Sequence, residues 1–595
     1  MKRTLLLLPL AALAGTLALL PSAVALDGDV KKAEAERTAV VAKVRPAVVA
    51  VCPYGGGGHG SGVVIDPEGY ALTNFHVTAD VSPVMSAGLA DGILYDAVLV
   101  GQDKVGDVAL IKLVPKKAGT PFPFVQLGDS DKVKAGDWSL AMGNPFGLSM
   151  DFTPTVTYGL VSGVNRYQPP EGGGTLEYTD CLQIDTSINP GNSGGPLFNM
   201  QGELIGINGR GSFDKRGRVN SGVGYAISIN QIKNFLGHFK AGLDTDHATM
   251  GATVETENED GTLSQMKFGT ILEEADVFRR GVRGGDKLVS FAGRPLTSTN
   301  QYKNILGIFP KEWRLPLTYR HENSRKETLV RLMGLMDERA NPDAPPPGQP
   351  KQPERPDPAK EAAKRSPAMK LFKEKKGYAN YYFNEQQRDK LWANFQKHGD
   401  FTGVGGAWAV EGTFNANDRK GPLTLTIADT TDGSIDAKLT MNVPFSVKMP
   451  TANPLELNVP DNSGGLLPVL TQYRRLLTQG AKGFTANFSH GGVEPCYPPP
   501  ADGKEVDDWA KRRVDCEVLK TKYGATECKW YFDKKDQKLI ACEAAVIPDS
   551  DPCELYFGDY KPVDGRQVPH RIDVRWGDKN YGTLFFAKFE FKKAN

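Results

Sequence analysis

The 595-residue sequence predicts a mainly β protein built from several domains. Three observations carry that expectation. From about Ala39 to Ile229, short apolar runs such as Val63-Val64-Ile65, Val108 to Leu113 and Leu204 to Ile207 are broken by Gly, Asp, Asn and Pro. That density of strands and turns fits an all-β barrel or sandwich. Near the other end, Ile572, Val574 and Trp576 alternate with Asp573 and Arg575, and Phe585, Ala587, Phe589 and Phe591 alternate with Lys588, Glu590 and Lys592. Such a period of two marks half-buried antiparallel strands. Between these regions, residues 341–358 hold Pro345-Pro346-Pro347 and further prolines among charges, a composition that cannot bury a core and reads as a semi-rigid linker.

The elements follow in order. Met1-Lys2-Arg3, an apolar run from Leu5 to Leu20, Pro21 and the small-residue site Ala23-Val24-Ala25 predict a signal peptide over residues 1–25. An uncleaved anchor is the alternative, but the run is short for a span and Pro21 interrupts its end. The expected mature protein is soluble and extracytoplasmic, periplasmic or secreted. A first β domain is expected over residues 39–240, a second unit alternating strands with a short helix over 242–336, a Pro-rich linker over 340–366, and a β-rich α+β domain over 367–595. Within the last, Tyr378 to Asp400 is expected to be partly helical and Leu466 to Leu477 an amphipathic helix.

Lys plus Arg number 71 against 70 Asp plus Glu, so the charge balance calls for neither nucleic acid nor an anionic membrane as partner. Seven cysteines leave at least one unpaired within the chain, and Cys528 and Cys542, nearly symmetric about the polar turn Lys534 to Gln537, are placed to be bridged across a hairpin. No metal-ligand spacing is present, and no cofactor or metal is expected.

The residues that carry chemistry centre on Asn189-Pro190-Gly191-Asn192-Ser193-Gly194-Gly195-Pro196. A serine that attacks a carbonyl needs a tight turn and backbone N–H groups aimed at the developing oxyanion, which glycines permit. Gly191, Asn192 and Ser193 are the candidate oxyanion residues, with Gly191 and Ser193 the expected donors. The same octet matches G-x-S-x-G of α/β-hydrolases, but there the acid and histidine follow the serine. Upstream of Ser193 stand two histidines, His59 in a glycine run and His76 at the end of Tyr70-Ala71-Leu72-Thr73-Asn74-Phe75-His76-Val77, a strand running into a turn. His76 is the expected general base. Asp107, at the mouth of Val108-Ala109-Leu110-Ile111-Lys112-Leu113, is the expected carboxylate that orients it, since an acid so placed needs a partner. Asp103 is the nearby alternative and lacks the apolar run.

Taken together, residues 39–335 resemble the HtrA/Deg family of trypsin-fold serine proteases with a PDZ domain. The resemblance is carried by Gly60-Ser61-Gly62-Val63-Val64-Ile65, Leu72 to Val77, Asp107-Val108-Ala109-Leu110, Leu127-Gly128-Asp129-Ser130, Gly143-Asn144-Pro145-Phe146-Gly147, Val161-Ser162-Gly163 and Asn189 to Leu197, in that order. It implies a chymotrypsin/trypsin-like double β-barrel, a His76–Asp107–Ser193 triad, ATP-independent endoproteolysis of unfolded or damaged envelope proteins, and a homotrimer or larger assembly. Two departures from trypsin bear on mechanism. Asn192 precedes the nucleophile where activation of trypsin-like zymogens needs an acid, so activation is expected to come from loop ordering. Ser187, six before the nucleophile, stands where trypsin-like enzymes carry the pocket acid; with Val223 and Gly224 as wall, it predicts small or medium apolar residues at the cleavage site.

In the second unit, Ala275 to Leu288 with Gly281-Val282-Arg283-Gly284-Gly285-Asp286 is similar to the helix, turn and strand of PDZ domains, and Met250, Gly251 and Ala252 are the candidate peptide-carboxylate loop. The carboxy-terminal region, through Asp551 to Leu555 and Asp559 to Gly565, resembles curved-sheet carrier domains of bacterial envelope lipoproteins and is expected to be a binding or interaction module. A non-catalytic chaperone or scaffold that binds unfolded chains is the alternative reading of the whole.

Overall fold

The short apolar runs of the amino-terminal half become twelve strands that close into two barrels. The computed structural model describes residues 27–593 apart from 56–59, 80, 145–150, 171–175, 190, 214–219, 258–264, 336–357, 417–418, 431–433, 442–443, 451–462, 485–487, 501–505, 507, 525, 546–549 and 578. The expected signal peptide and His59 lie outside these residues.

The first barrel runs Leu94–Asp103, Val84–Leu89, Val48–Cys52, Gly60–Val64, Tyr70–Thr73, Val108–Leu113, and closes because Leu94–Asp103 also pairs with Val108–Leu113. The second comprises Pro196–Phe198, Leu204–Phe213, Asn220–Ser228, Tyr178–Ile184, Thr155–Gln168 and Trp138–Gly143. Strands such as Val48–Cys52 and Tyr70–Thr73 are buried at every position, so their near-continuous apolar sequences have both faces to fill. Closure also removes the unpaired edges that an open sheet would expose. The helix Ile229–Lys240 leaves the second barrel and returns to the first, where Phe235 and Phe239 enter the core. Gly101 permits this, since a Cβ there would stand 2.4 Å from the Phe239 Cα.

The chain then adds Asp244–Thr245 in parallel to Leu94–Asp103 and enters a second unit. Its main sheet runs Ala252–Glu257, Gln265–Ile271, Lys287–Phe291, Arg314–His321, Ser324–Arg331, over a core that includes Phe268, Phe291, Trp313 and Leu317. Helices Asp276–Arg279 and Thr299–Leu306 complete it.

The predicted linker over 340–366 ends earlier than expected. Pro358–Ala363 is helical, and Ala363 and Ala368 are buried in the core of the first barrel, so small side chains after the prolines dock the returning chain. Helix Tyr381–Phe395 follows, and Asn384 bridges units by donating to the carbonyls of Ala241 and His490, both at 2.8 Å.

The carboxy-terminal region is an eleven-stranded antiparallel sheet, from Pro444–Pro450 at one edge to Phe488–Cys496 at the other. The alternation read in the sequence appears as Arg566–Trp576 paired with Lys579–Phe591. Helix Leu466–Gln479 is packed with this sheet in one core that includes Leu467, Leu470, Trp530, Leu555 and Leu584. It is buried almost all round rather than on one face. Its Arg474 is accommodated by hydrogen bonds to the Gly405 and Gly406 carbonyls and to Asp429. The predicted cysteine hairpin forms, but its register sets Cys528 opposite Ala544 and Cys542 opposite Trp530. None of the seven cysteines is in a disulfide, and all are buried.

Candidate active site

The strand Tyr70–Thr73 ends at Asn74 and turns into the four-residue helix Phe75–Thr78, which presents a half-exposed His76 side chain. Asn74 Nδ2 donates to the Asp107 carbonyl at 2.8 Å, so a side chain of the loop bearing the imidazole ties it to the backbone of the loop bearing the carboxylate. Asp107 is fully buried and has φ +58, a left-handed conformation that costs a non-glycine residue of order 1 kcal/mol and persists only when its surroundings over-determine it. Its Oδ1 accepts from the His76 amide at 3.0 Å, and His76 Nδ1 lies 2.8 Å from Oδ2 and 3.0 Å from Oδ1. Burial acts to lower the His76 pKa, but the hydrogen bond and charge of Asp107 outweigh it and hold the imidazole above its ordinary value.

A third group reaches this carboxylate. Tyr178, buried on strand Tyr178–Ile184 of the second barrel, donates its hydroxyl to Asp107 Oδ2 at 2.5 Å. No local pattern marks it: in Glu177-Tyr178-Thr179-Asp180 a tyrosine reads as an ordinary strand residue. Its structural complement is Gly209, where a Cβ would stand 2.6 Å from the Tyr178 ring.

Ser193 sits on a turn clamped between the barrels. Ser61 of the first barrel donates its amide to the Ser193 carbonyl at 2.9 Å and its hydroxyl to the Gly191 carbonyl at 2.6 Å. Glycine is required at Gly194, which has φ +81 and where a Cβ would lie 2.3 Å from the Ser61 carbonyl. The Asn192 amide donates to Asn189 at 2.9 Å, so this candidate oxyanion donor is already engaged. The amides of Gly191 and Ser193 have no acceptor among the described residues, and Gly191 has φ +101. The Ser193 hydroxyl donates to the Gly209 carbonyl at 3.4 Å, and no hydrogen bond joins it to His76 among the described residues.

Ser187 is exposed, and its carbonyl accepts from Thr157 Oγ1 at 3.1 Å and Asn192 Nδ2 at 3.5 Å. Val223 is half-buried and Gly224 buried, paired with Ile184; a Cβ on Gly224 would lie 2.8 Å from Ile188, so the wall is close and apolar.

Residues 60–207 match the family described as trypsin-like peptidase domain. The amino-terminal half therefore carries a trypsin-like peptidase domain. A probable periplasmic serine endoprotease DegP-like from Pseudomonas fulva (strain 12-X) is 34% identical over 313 residues, covering 49% of this chain and 61% of that protein. Its counterpart from Pseudomonas putida (strain W619) is 34% identical over 292 residues, covering 47% and 57%. The chain thus spans under two thirds of the length of the curated relatives it matches. Among solved structures, the HtrA-type protease AlgW with tripeptide is 28% identical, covers 50% of this chain and 96% of its own, and superimposes with a TM-score of 0.40. The trypsin-like peptidase domain has the double-barrel, mainly β architecture that the sequence predicts.

In the second unit Met250 is wholly buried, and the Gly251 amide donates to Thr249 Oγ1 at 3.3 Å. The edge strand Ala252–Glu257 that follows is linked to helix Thr299–Leu306 by the Thr256 and Thr299 hydroxyls, 2.8 Å apart.

Proposed function

We propose that this chain is an extracytoplasmic serine endoprotease in which Ser193 is the nucleophile, His76 the general base and Asp107 the residue that orients the base. The supporting observation is the His76–Asp107 pair beside a serine turn whose Gly191 and Ser193 amides have no acceptor among the described residues. A serine hydroxyl is a weak nucleophile until a base takes its proton, and the acyl-enzyme formed splits one hard hydrolysis into two easier steps. His76 Nδ1–H donates to Asp107, which keeps Nε2 free to accept the Ser193 proton and later deliver it to the leaving amine. The two amides stabilise the oxyanion as it forms.

The Ser193 hydroxyl donates to the Gly209 carbonyl instead of to His76, which supports a resting state activated by ordering of the surrounding loops. The names of the relatives support a periplasmic location. Unfolded polypeptides are the proposed substrates, with small or medium apolar residues at the cleavage site because no acid lies at Ser187 and Ile188 narrows the wall at Gly224. Residues 242–336 are the proposed PDZ domain and the terminal sheet a proposed interaction module.

The test is fluorophosphonate labelling and casein degradation by the full chain and by Ser193→Ala. Labelling of the unaltered chain alone supports the reading, and equal labelling of both overturns it. A peptide library read on the same pair reports the cleavage preference, and dominant cleavage after Lys or Arg contradicts the apolar pocket. The pH profile is a separate check. Because Asp107 raises the His76 pKa, the neutral base is populated only above that raised value, so kcat/KM is expected to fall as pH drops through a midpoint above about 6.5. An acid limb centred below that value contradicts the proposed electrostatics.

A further inference from the structure

Asp103, the alternative acid of the sequence, does not face His76. It ends strand Leu94–Asp103, is almost wholly buried, and its Oδ1 accepts from the amides of Val105 at 3.1 Å and Gly106 at 3.0 Å. These are the two residues that precede the left-handed Asp107. The other oxygen, Oδ2, lies 2.6 Å from Nε2 of His247, whose side chain is completely buried. His247 comes from the far side of a domain junction. Its carbonyl accepts from the Leu335 amide at 2.9 Å, it bridges to Pro310, and the next residue, Ala248, donates to Phe309. Its backbone thus belongs to the second unit while its ring is inserted behind the acid of the first barrel, stacked on Phe235 with centroids 4.7 Å apart.

The fit around the pair is tight. A Cβ on Gly106 would stand 2.5 Å from Asp103 Oδ2 and 2.6 Å from His247 Nε2. The Val105 carbonyl accepts from the Glu177 amide at 2.9 Å, next to the Tyr178 that donates to Asp107. One short turn, residues 103–106, therefore joins the carboxylate, the tyrosine that supports it, and the second unit.

We propose that Asp103 and His247 are a positioning couple: His247 holds the Asp103 carboxylate, which pins the Val105 and Gly106 amides and so fixes the left-handed Asp107 against His76. The inference rests on the triad reading and adds that the second unit contributes a side chain to it. Neither residue touches substrate. A buried carboxylate deprived of its hydrogen-bonding imidazole rotates or takes up a proton, and either event releases the turn. Misplacement of a reacting group by about 1 Å costs up to about 10²-fold in rate.

The experiment uses the full chain with His247→Phe, which keeps the ring stack and removes the donor, His247→Gln, which keeps an amide donor near Nε2, and Asp103→Asn, which is isosteric should the phenylalanine fail to fold. Each is read by kcat, KM and pH profile on a peptide, and by the downfield proton resonance of His76 Nδ1–H, assigned by its loss in His76→Ala. For His247→Phe, kcat is expected to fall by about 10- to 10²-fold with KM within about twofold, the acid limb to move to lower pH, and the resonance to broaden or vanish. His247→Gln is expected to recover most of both readouts, and Asp103→Asn to show an intermediate loss. Folded His247→Phe or Asp103→Asn with unchanged kcat, pH profile and resonance overturns the couple. Absence of Ser193-dependent activity in the unaltered chain overturns the triad reading instead, and the resonance still decides whether His247 aligns Asp107.

Discussion

Asp107→Asn is expected to lower kcat/KM by about 10⁴-fold without unfolding the first barrel. The size follows from where the new amide must point. Oδ1 accepts from the His76 backbone N–H, a group that can only donate, so the asparagine must keep its carbonyl oxygen there. Its NH₂ then occupies the Oδ2 position, 2.8 Å from His76 Nδ1, and donates to it. The Tyr178 hydroxyl, donor to Oδ2 in the native site, can rotate to accept from that NH₂ and so does not resist the exchange. His76 is thereby held with Nδ1 bare and Nε2 protonated, the tautomer that cannot take the Ser193 proton. The charge that raises the His76 pKa is also gone, so the acid limb of the residual activity is expected to move down in pH. Steady-state rates over a pH series check both parts. A loss of less than about tenfold contradicts the role assigned to Asp107, since a wrong tautomer in nearly every molecule cannot leave most of the rate.

The residues of this site differ in how far the sequence reveals them. His76, Asp107 and Ser193 each stand in a local pattern: a strand running into a turn, an acid before an apolar strand, a serine among glycines. The proposed chemistry accounts for those patterns, because each group must be lifted out of a barrel wall at a defined place. Tyr178 and His247 carry no such mark. Tyr178 acts through its hydroxyl while its ring packs as any strand tyrosine would, and the glycine that makes room for it is 31 residues away (209 − 178) on another strand. His247 depends on a crossing between domains that no local period encodes. Asp103 was legible as an acid and not as a turn-holder, because its partners are backbone amides.

The same division runs through the fold. Alternation in Arg566–Trp576 and Lys579–Phe591 marked two strands of the terminal sheet, and helical spacing marked Leu466–Gln479. That the helix is swallowed on nearly all sides depends on Arg474 finding the Gly405 and Gly406 carbonyls some 70 residues upstream (474 − 405 = 69), which sequence spacing cannot report. The cysteine hairpin was legible to its turn, but the register that offsets Cys528 from Cys542 is set by the pairing of whole strands, with an irregularity between Tyr531 and Phe532.

Arg314→Met is expected to weaken the second unit's docking on the terminal sheet by about 3–5 kcal/mol. Arg314 begins strand Arg314–His321, and its NH1 meets Oε1 of Glu554, on strand Cys553–Val563, at 2.7 Å. Glu554 is wholly buried, and its other oxygen accepts from the Tyr556 hydroxyl at 2.7 Å. Methionine fills the volume of the arginine stem but leaves a desolvated carboxylate with one neutral donor. Double replacement, Arg314→Met with Glu554→Leu, is expected to recover most of the loss, because an apolar pair needs no compensation while a single buried charge does. Urea unfolding followed at several probes is the appropriate measurement, since domains of this chain need not unfold together. The single variant should lower the earliest transition and the double variant should restore it toward the native midpoint. If the double variant is as weak as the single, the pair contributes attraction that burial does not cancel, as the neighbouring Arg331–Glu543 contact at 2.7 Å can then be asked to do in turn. Either outcome bears on His247: the second unit holds that side chain behind Asp107 only while it stays seated, and Arg314 is part of what seats it.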